Sequence, residues 1–134
     1  MSVVYDQNDW IGQWVSDKVG GMWIPQGSVA IGQVDDGKIT AGVIFDRYNG
    51  ASISSTLAIS GKITRDFVQA ILHYPFNVAK VNCVINVVSS TNKKSMRLTE
   101  HFGFKRVAVI PSATNDGDMV IYSLTRINCK FLKE

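Results

Sequence analysis

The sequence predicts a single α/β domain, residues 1–134, built on a central mixed six-stranded sheet with helices on both faces. Three observations lead there. The apolar period switches between two and about 3.6 along the chain, so strands and helices alternate within one unit. Three consecutive alternating segments are joined by Asp-Gly and Asn-Gly turn signals, which makes them antiparallel. An apolar segment, residues 81–88, then follows a helical stripe closed by Pro75, the strand–helix–strand order that a parallel pair requires. At 134 residues, 46% hydrophobic and 19% charged, the chain has the size and balance of one hydrophobic core.

The elements follow in order. In residues 6–19, Trp10, Ile11, Trp14 and Val15 share one side at helical spacing, with Asp6 and Asn8 as caps and Gly20-Gly21 as the stop. "VAIGQV" begins a strand that turns at Asp36-Gly37 into "KITAGVIFDRY", where Ile39, Ala41, Val43 and Phe45 alternate. Asn49-Gly50 is expected to form a two-residue turn with positive φ at both positions, after which Ile53, Ser55, Leu57 and Ile59 occupy one face of a third strand. Phe67, Ala70, Ile71 and Tyr74 then recur at helical spacing, with Thr64 as N-cap, Asp66 in the first turn and Pro75 as terminator. Residues 81–88 are apolar on both sides in their middle, as expected of a central strand covered on both faces. In "NKKSMRLTEHFGF", residues 92–104, Ser95, Leu98, Thr99 and Phe102 share one face of a helix opened by Asn92, and Lys94, Arg97 and His101 the other. Gly103 ends it in the C′ position. Strands over 105–110 and 119–125 flank the polar loop "PSATNDGD".

Composition narrows the setting. No N-terminal basic and apolar leader and no apolar run of membrane-spanning length is present, so the expectation is a protein without membrane contact. A domain of this size needs no disulfide, and Cys83 and Cys129 are expected to be reduced thiols in a cytoplasm, Cys83 as a small core residue. The net charge of +3 is compatible with an anionic ligand and leaves nucleic acid open as a partner. No Cys/His spacing points to a metal. His73 and His101 read as surface residues on polar faces. Trp10, Trp14 and Trp23 read as core or interface anchors more readily than as base-stacking groups.

Over about residues 28–126, the element order and the "N..S..L....GF" pattern of Asn92, Ser95, Leu98, Gly103 and Phe104 resemble the GCN5-related N-acetyltransferase superfamily. The short members found in bacteriophages and prophages are similar in "GVIFDRYNGASI" and "LHYPF". The resemblance implies an acetyltransferase-like fold in which parallel strands 4 and 5 splay apart. The free edge of strand 4 would bind the pantetheine arm of acetyl-CoA or another acyl-CoA. It further implies transfer of the acyl group to an amine acceptor of unstated identity, in the host cytoplasm if the gene is a phage's.

Carried over residue by residue, the pantetheine edge is Leu57, Ala58 and Ile59. The pyrophosphate loop is "SGKITR", with Gly61, Lys62, Thr64 and Arg65 opening a helix whose N–H groups favour an anion; Gly61 in an ordinary turn with solvated cations is the other reading. Asn92 and Ser95 complete the coenzyme contacts, Asn92 also serving as a helix cap. Two positions depart from the pattern: the loop is shorter and has one glycine, and Thr99 stands where a tyrosine acid is common. Asp46 and Tyr48, at the end of the third strand, are the catalytic candidates, Asp46 attracting or deprotonating the amine and Tyr48 stacking on or donating to the substrate; "DRYNG" as a plain hairpin rim is the alternative. Tyr122, on a late strand, is a further hydroxyl. A non-catalytic or DNA-modifying module of the same fold, binding coenzyme A, nucleic acid or a protein, is the alternative function. The apolar load of residues 10–24 predicts a two-fold homodimer whose partner covers a cleft that a missing N-terminal strand would leave open.

Overall fold

A computed structural model describes residues 1–132. The elements are β1 (Ser2–Val4), α1 (Asn8–Val19), β2 (Val29–Asp35), β3 (Lys38–Asp46), β4 (Ser52–Ile59), α2 (Arg65–His73), β5 (Cys83–Ser89), α3 (Lys93–His101), β6 (Lys105–Ile110) and β7 (Met119–Thr125). They form one mixed sheet of strand order β1-β2-β3-β4-β5-β7-β6. Its one parallel pair is β4–β5. The sheet has seven strands rather than six. The additional strand is the N-terminal one expected to be missing, β1, which pairs Ser2, Val3 and Val4 with Val34, Gln33 and Gly32. Three residues are too few to show an alternating period; the pairing partner creates this strand.

Local chemistry sets most boundaries. Asp36 and Gly37 both take positive φ between paired Asp35 and Lys38, as a two-residue hairpin demands. The β3–β4 connection differs from expectation: Arg47 (φ +55°) and Gly50 (φ +90°) are left-handed, whereas Asn49 is not. Its side chain makes the turn instead, Oδ1 accepting from Ala51 N–H at 2.9 Å and Ser52 N–H at 2.7 Å. At α1 neither Asp6 nor Asn8 caps the helix; Gln7 holds the N-cap position, and Asn8 Oδ1 accepts from Ala30 N–H at 3.0 Å. Gly20 (φ +76°) closes α1, Thr64 Oγ1 caps α2 through Phe67 N–H, and Asn92 Oδ1 caps α3 through Ser95 N–H. Pro75 does not stop the chain from coiling. It opens a π-helical turn, Tyr74–Val78, and the Arg126 guanidinium donates to two carbonyls there, Phe76 O and Val81 O. Among the described residues no helix is long and apolar enough to cross a membrane.

The two faces of the sheet are covered differently. Ile31, Val43, Phe45, Leu57, Val84, Tyr122 and Leu124 pack with α2 and α3 in the larger core. On the other face Ile11 and Val15 of α1 pack on Ala30, Ile44 and Ala58. Gly32 and Gly42 permit that approach, because a Cβ on Gly42 would stand 2.7 Å from Val15 Cγ2 and one on Gly32 2.3 Å from Ile11 Cδ1. Helix α1 packs chiefly on β2 and β3 and less on β4. Strand β5 is therefore not covered on both sides: Val84, Asn86 and Val88 are buried, while Ile85 and Val87 on the α1 side are half-buried. Cys83 shares that half-exposed face, and the core thiol is Cys129; both are free. Trp14 and Trp23 are partly buried against the α1 cluster, and Trp10 is exposed.

Gly103 (φ +98°) has room for a side chain, its nearest neighbours standing 3.8 Å or more from a built Cβ, whereas Gly42 has none. Gly103→Val should cost about 1–2 kcal/mol through backbone strain alone. Gly42→Val should cost about 1–3 kcal/mol or more through overpacking. Thermal melts with chemical-denaturant titration check both; wild-type stability in Gly103→Val contradicts the left-handed cap.

Candidate functional site

The site is built on the point where β4 and β5 part. They pair through four rungs, Ser52↔Cys83 to Ser55↔Asn86. Beyond them β4 stays on β3, pairing Thr56 with Ile44 through to Ile59 with Ala41, and β5 stays on β7, pairing Val87 with Ile121. The β5-facing edge of Thr56–Ile59 therefore carries backbone groups without a strand partner. At the last rung a buried polar network closes the vertex. Ser55 Oγ lies 3.1 Å from Asn86 Oδ1 and 3.2 Å from Ile85 O, and Asn86 Nδ2 donates to Thr99 Oγ1 at 2.8 Å. Thr99 is 1% exposed and takes part in this network, so its hydroxyl ties α3 to β5.

On the α2/α3 side the wedge opens into a groove of about 590 Å³ lined by Ile59, Gly61, Lys62, Lys94, Arg97 and Leu98. The loop at its end takes its shape from Gln33 of β2, which is fully buried. Gln33 Nε2 donates to Lys62 O at 2.8 Å and to Thr40 Oγ1 at 2.9 Å, and its Oε1 accepts from Thr64 N–H at 2.8 Å. Among the described residues, the N–H groups of Gly61, Lys62, Ile63, Arg65 and Asp66 have no acceptor. Gly61 does not have positive φ, and a Cβ there would meet only Thr40 at 3.7 Å. Arg65 lines an adjoining cavity of about 670 Å³ with His101, Lys130 and Phe131. Sequence reasoning singled out Lys62 and Arg65, which the structure places on the groove and on the adjoining cavity respectively. It missed Lys94 and Arg97, read as the outer face of α3, and Gln33, whose partners lie 29 and 31 residues away.

On the α1 side a cleft of about 450 Å³ reaches the same vertex, lined by Lys18, Arg47, Thr56, Leu57, Asn92 and Asp116 among others. Its outer wall is the β6–β7 loop, held to the end of α1 by Asn115 Nδ2 donating to Gly20 O at 3.1 Å. Ser89 and Thr91 donate to the Asp116 carboxylate at 2.8 Å each and Thr114 at 3.3 Å. These hydroxyl bonds, with Thr91 and Ser89 foremost, hold its pKa below the usual carboxylate range. The Asn92 carbonyl is occupied by the cap, and its Nδ2 has no acceptor among the described residues.

The remaining sequence candidates are dispersed. Leu57 borders the cleft, Ile59 borders the groove, Ala58 packs under α1, and Ser95 is buried in the first turn of α3. Asp46 and Tyr48 line a third cavity of about 850 Å³ at the opposite end of β4, with Phe45, Ile53 and Tyr74. Partial burial raises the Asp46 pKa, opposed by the neighbouring Arg47 charge. Tyr48 OH donates to Ala79 O at 3.3 Å. Arg47 lines both this cavity and the cleft. Tyr122 OH donates to Glu100 Oε2 at 2.6 Å, and Arg106 pairs with that carboxylate at 3.2 Å. Among the described residues no group of three or more His, Cys, Asp or Glu is placed to hold a metal ion.

No protein-family model and no curated protein sequence matches the chain. Solved structures do. The spermidine/spermine N-acetyltransferase SpeG from Vibrio cholerae superposes with a TM-score of 0.76 at 12% identity, covering 99% of each chain. The Campylobacter jejuni N-acetyltransferase PseH in complex with acetyl coenzyme A gives 0.58 at 18% identity over 75% of this chain and 70% of that one. A structure described as a "Probable acetyltransferase" gives 0.66 at 20% identity over 76% of this chain; the match spans 63% of that longer chain. The fold is that of the GCN5-related N-acetyltransferases, with the parallel pair β4–β5 in a seven-stranded sheet.

Gln33→Leu leaves Lys62 O and Thr64 N–H without their internal partner. It should destabilise the domain by about 1–3 kcal/mol and raise hydrogen exchange at residues 60–66 above the rest of the chain. Uniform exchange with unchanged stability contradicts its role as the loop's anchor.

Proposed function

We propose that the protein is an acyl-CoA-dependent N-acyltransferase that acylates a small amine. The observation that carries this reading is the wedge between β4 and β5, which opens on one face into a groove with Lys62, Lys94 and Arg97 that borders β4 at Ile59, and on the other into a separate cleft that borders β4 at Thr56 and Leu57. A pantetheine arm needs a strand edge with free amide groups, which Leu57, Ala58 and Ile59 provide. A pyrophosphate needs N–H donors and cations, which Gly61, Lys62, Thr64 and Arg65 at the start of α2 supply, Thr64 by shaping the loop as α2's N-cap, with Lys94 and Arg97 facing them from α3.

The chemistry is attack of a neutral amine nitrogen on the thioester carbonyl carbon. A C–N bond forms, the C–S bond breaks, the nitrogen gives up one proton and the departing thiolate takes one. The chain supplies position and polarity: a free β4 N–H near Thr56 faces the carbonyl oxygen, and Asn92 Nδ2 at the start of α3 points donor capacity at the same vertex. Thr99 is buried in the core, its oxygen accepting from Asn86, and the Tyr122 hydroxyl donates to Glu100, so thiolate protonation falls to solvent in the cleft. We assign Asp46 to attracting the ammonium group of the incoming acceptor at the neighbouring cavity, Tyr48 to stacking on the acceptor there, and Ser95 to orienting Asn92 through the cap bond.

Titration calorimetry with acetyl-CoA tests the coenzyme site. Wild type should bind, and Lys62→Glu combined with Arg97→Glu should weaken binding by at least about tenfold, since two phosphate-facing charges reverse sign. Binding that is absent in wild type, or unchanged in the variant, rejects the assignment. Assembly as a homodimer is part of this proposal, supported by the exposed apolar side chains of Trp10, Met22 and Ile24. Light scattering should give twice the 14.8 kDa chain mass, reduced to one chain by Trp10→Glu.

A further inference from the structure

We propose that the amine acceptor also carries an oxyanion, a carboxylate or a phosphate, and that Arg47 binds it; this rests on the N-acyltransferase reading above. The cleft contains two cations, Arg47 and Lys18, and one carboxylate, Asp116. Asp116 is already served: Oδ1 accepts from Ser89 and Thr114 and Oδ2 from Thr91, which leaves little capacity to recruit a second ammonium group. Arg47 is the reverse case. Among the described residues its guanidinium has no hydrogen-bond acceptor and no carboxylate within ion-pair distance, although Asp46 is next to it in the chain. An arginine fork that faces a cavity without a partner matches the planar oxygens of a carboxylate or phosphate.

Position supports the same assignment. Arg47 is held at φ +55°, a strained conformation for a non-glycine residue, in a loop fixed by the Asn49 side chain, and such residues concentrate at ligand sites. It borders both the cleft and the large cavity at the far end of β4. It directly follows β3, three residues beyond Ile44, the partner of Thr56 beside the vertex, a span of about 10 Å along the chain at about 3.3 Å per residue. An amine at the vertex and an oxyanion on Arg47 therefore belong to one short molecule. A polyamine placed in the same cleft would bring ammonium groups against Arg47 and Lys18, a like-charge arrangement that selects against it.

The test follows thiol release from acetyl-CoA with 4-aminobutyrate, 6-aminohexanoate, O-phosphoethanolamine, butylamine and spermidine, alongside calorimetry with acetyl-CoA alone. An oxyanion-bearing amine should exceed butylamine and spermidine in kcat/KM by at least about tenfold, and the carboxylate and phosphate arms identify which oxyanion is read. Arg47→Gln should raise the KM of that acceptor about tenfold while kcat and the affinity for acetyl-CoA stay unchanged, and Arg47→Lys should recover part of the loss. Preference for spermidine or butylamine, or an Arg47→Gln enzyme with unaltered KM, overturns the proposal. So does a panel with no turnover by a protein that binds acetyl-CoA, an outcome that leaves the coenzyme site standing; failure to bind acetyl-CoA removes the N-acyltransferase reading and this inference together.

Discussion

The constraint on which the rest of the molecule depends is that β4 and β5 pair for four rungs and no further. Each strand satisfies its backbone on its other side, β4 on β3 along its whole remaining length and β5 on β7 through all seven of its residues. Separation therefore exposes one edge of each strand instead of stranding a whole ladder, and the cost stays local. The vertex does not drift because Ser55, Asn86 and Thr99 interlock there in a dry environment, where a complete hydrogen-bond network is strong and an incomplete one costly. Sliding β5 by one residue would turn Asn86 to the other face and break both links.

That fixed wedge acquires two different sides because the helices cover the sheet unequally. Helices α2 and α3 close the larger core and bring Lys62, Lys94 and Arg97 to the lip of the groove. Helix α1 covers half of the opposite face and ends at Gly20, so the α1 side of β5 stays open as a cleft floor. The closeness of α1 to the sheet is set by Gly32 and Gly42. Larger residues there would lift the helix and with it the Gly20 carbonyl that receives Asn115. The far wall of the cleft is thus coupled to packing more than seventy residues earlier in the chain.

What was legible in the sequence was local. The α3 caps at Asn92 and Gly103, the Asp36-Gly37 hairpin, Thr64 and the bounds of β6 and β7 follow from turn chemistry and periodicity acting within a few residues. The features that escaped are non-local or depend on a side chain replacing backbone geometry. Strand β1 exists only against β2, the Asn49 side chain makes the turn without a left-handed backbone at Asn49 itself, and Arg126 stabilises the π-helical turn at Pro75 from fifty residues away. Asp46 is the last residue of β3 and Tyr48 follows in the β3–β4 connection, beside one end of the wedge. Which end of the wedge that is depends on the β4–β5 register, which no local pattern encodes.

The single glycine in the loop before α2 illustrates how a site can keep its shape while its sequence departs from a pattern. A glycine-rich loop can approach an anion because its backbone is permissive, at the cost of the entropy lost when it is ordered. Here one buried side chain does the ordering. Gln33 occupies Lys62 O and Thr64 N–H on the inner side of the loop, so the N–H groups of Gly61, Lys62 and Ile63 remain as the loop's unpaired donors. Gly61 is then needed neither for a left-handed backbone nor for close packing against the protein, and Lys62 can take a position where a second glycine would otherwise be required. The loop carries a cation beside those N–H groups, and the direction in which they point is set by a side chain of β2.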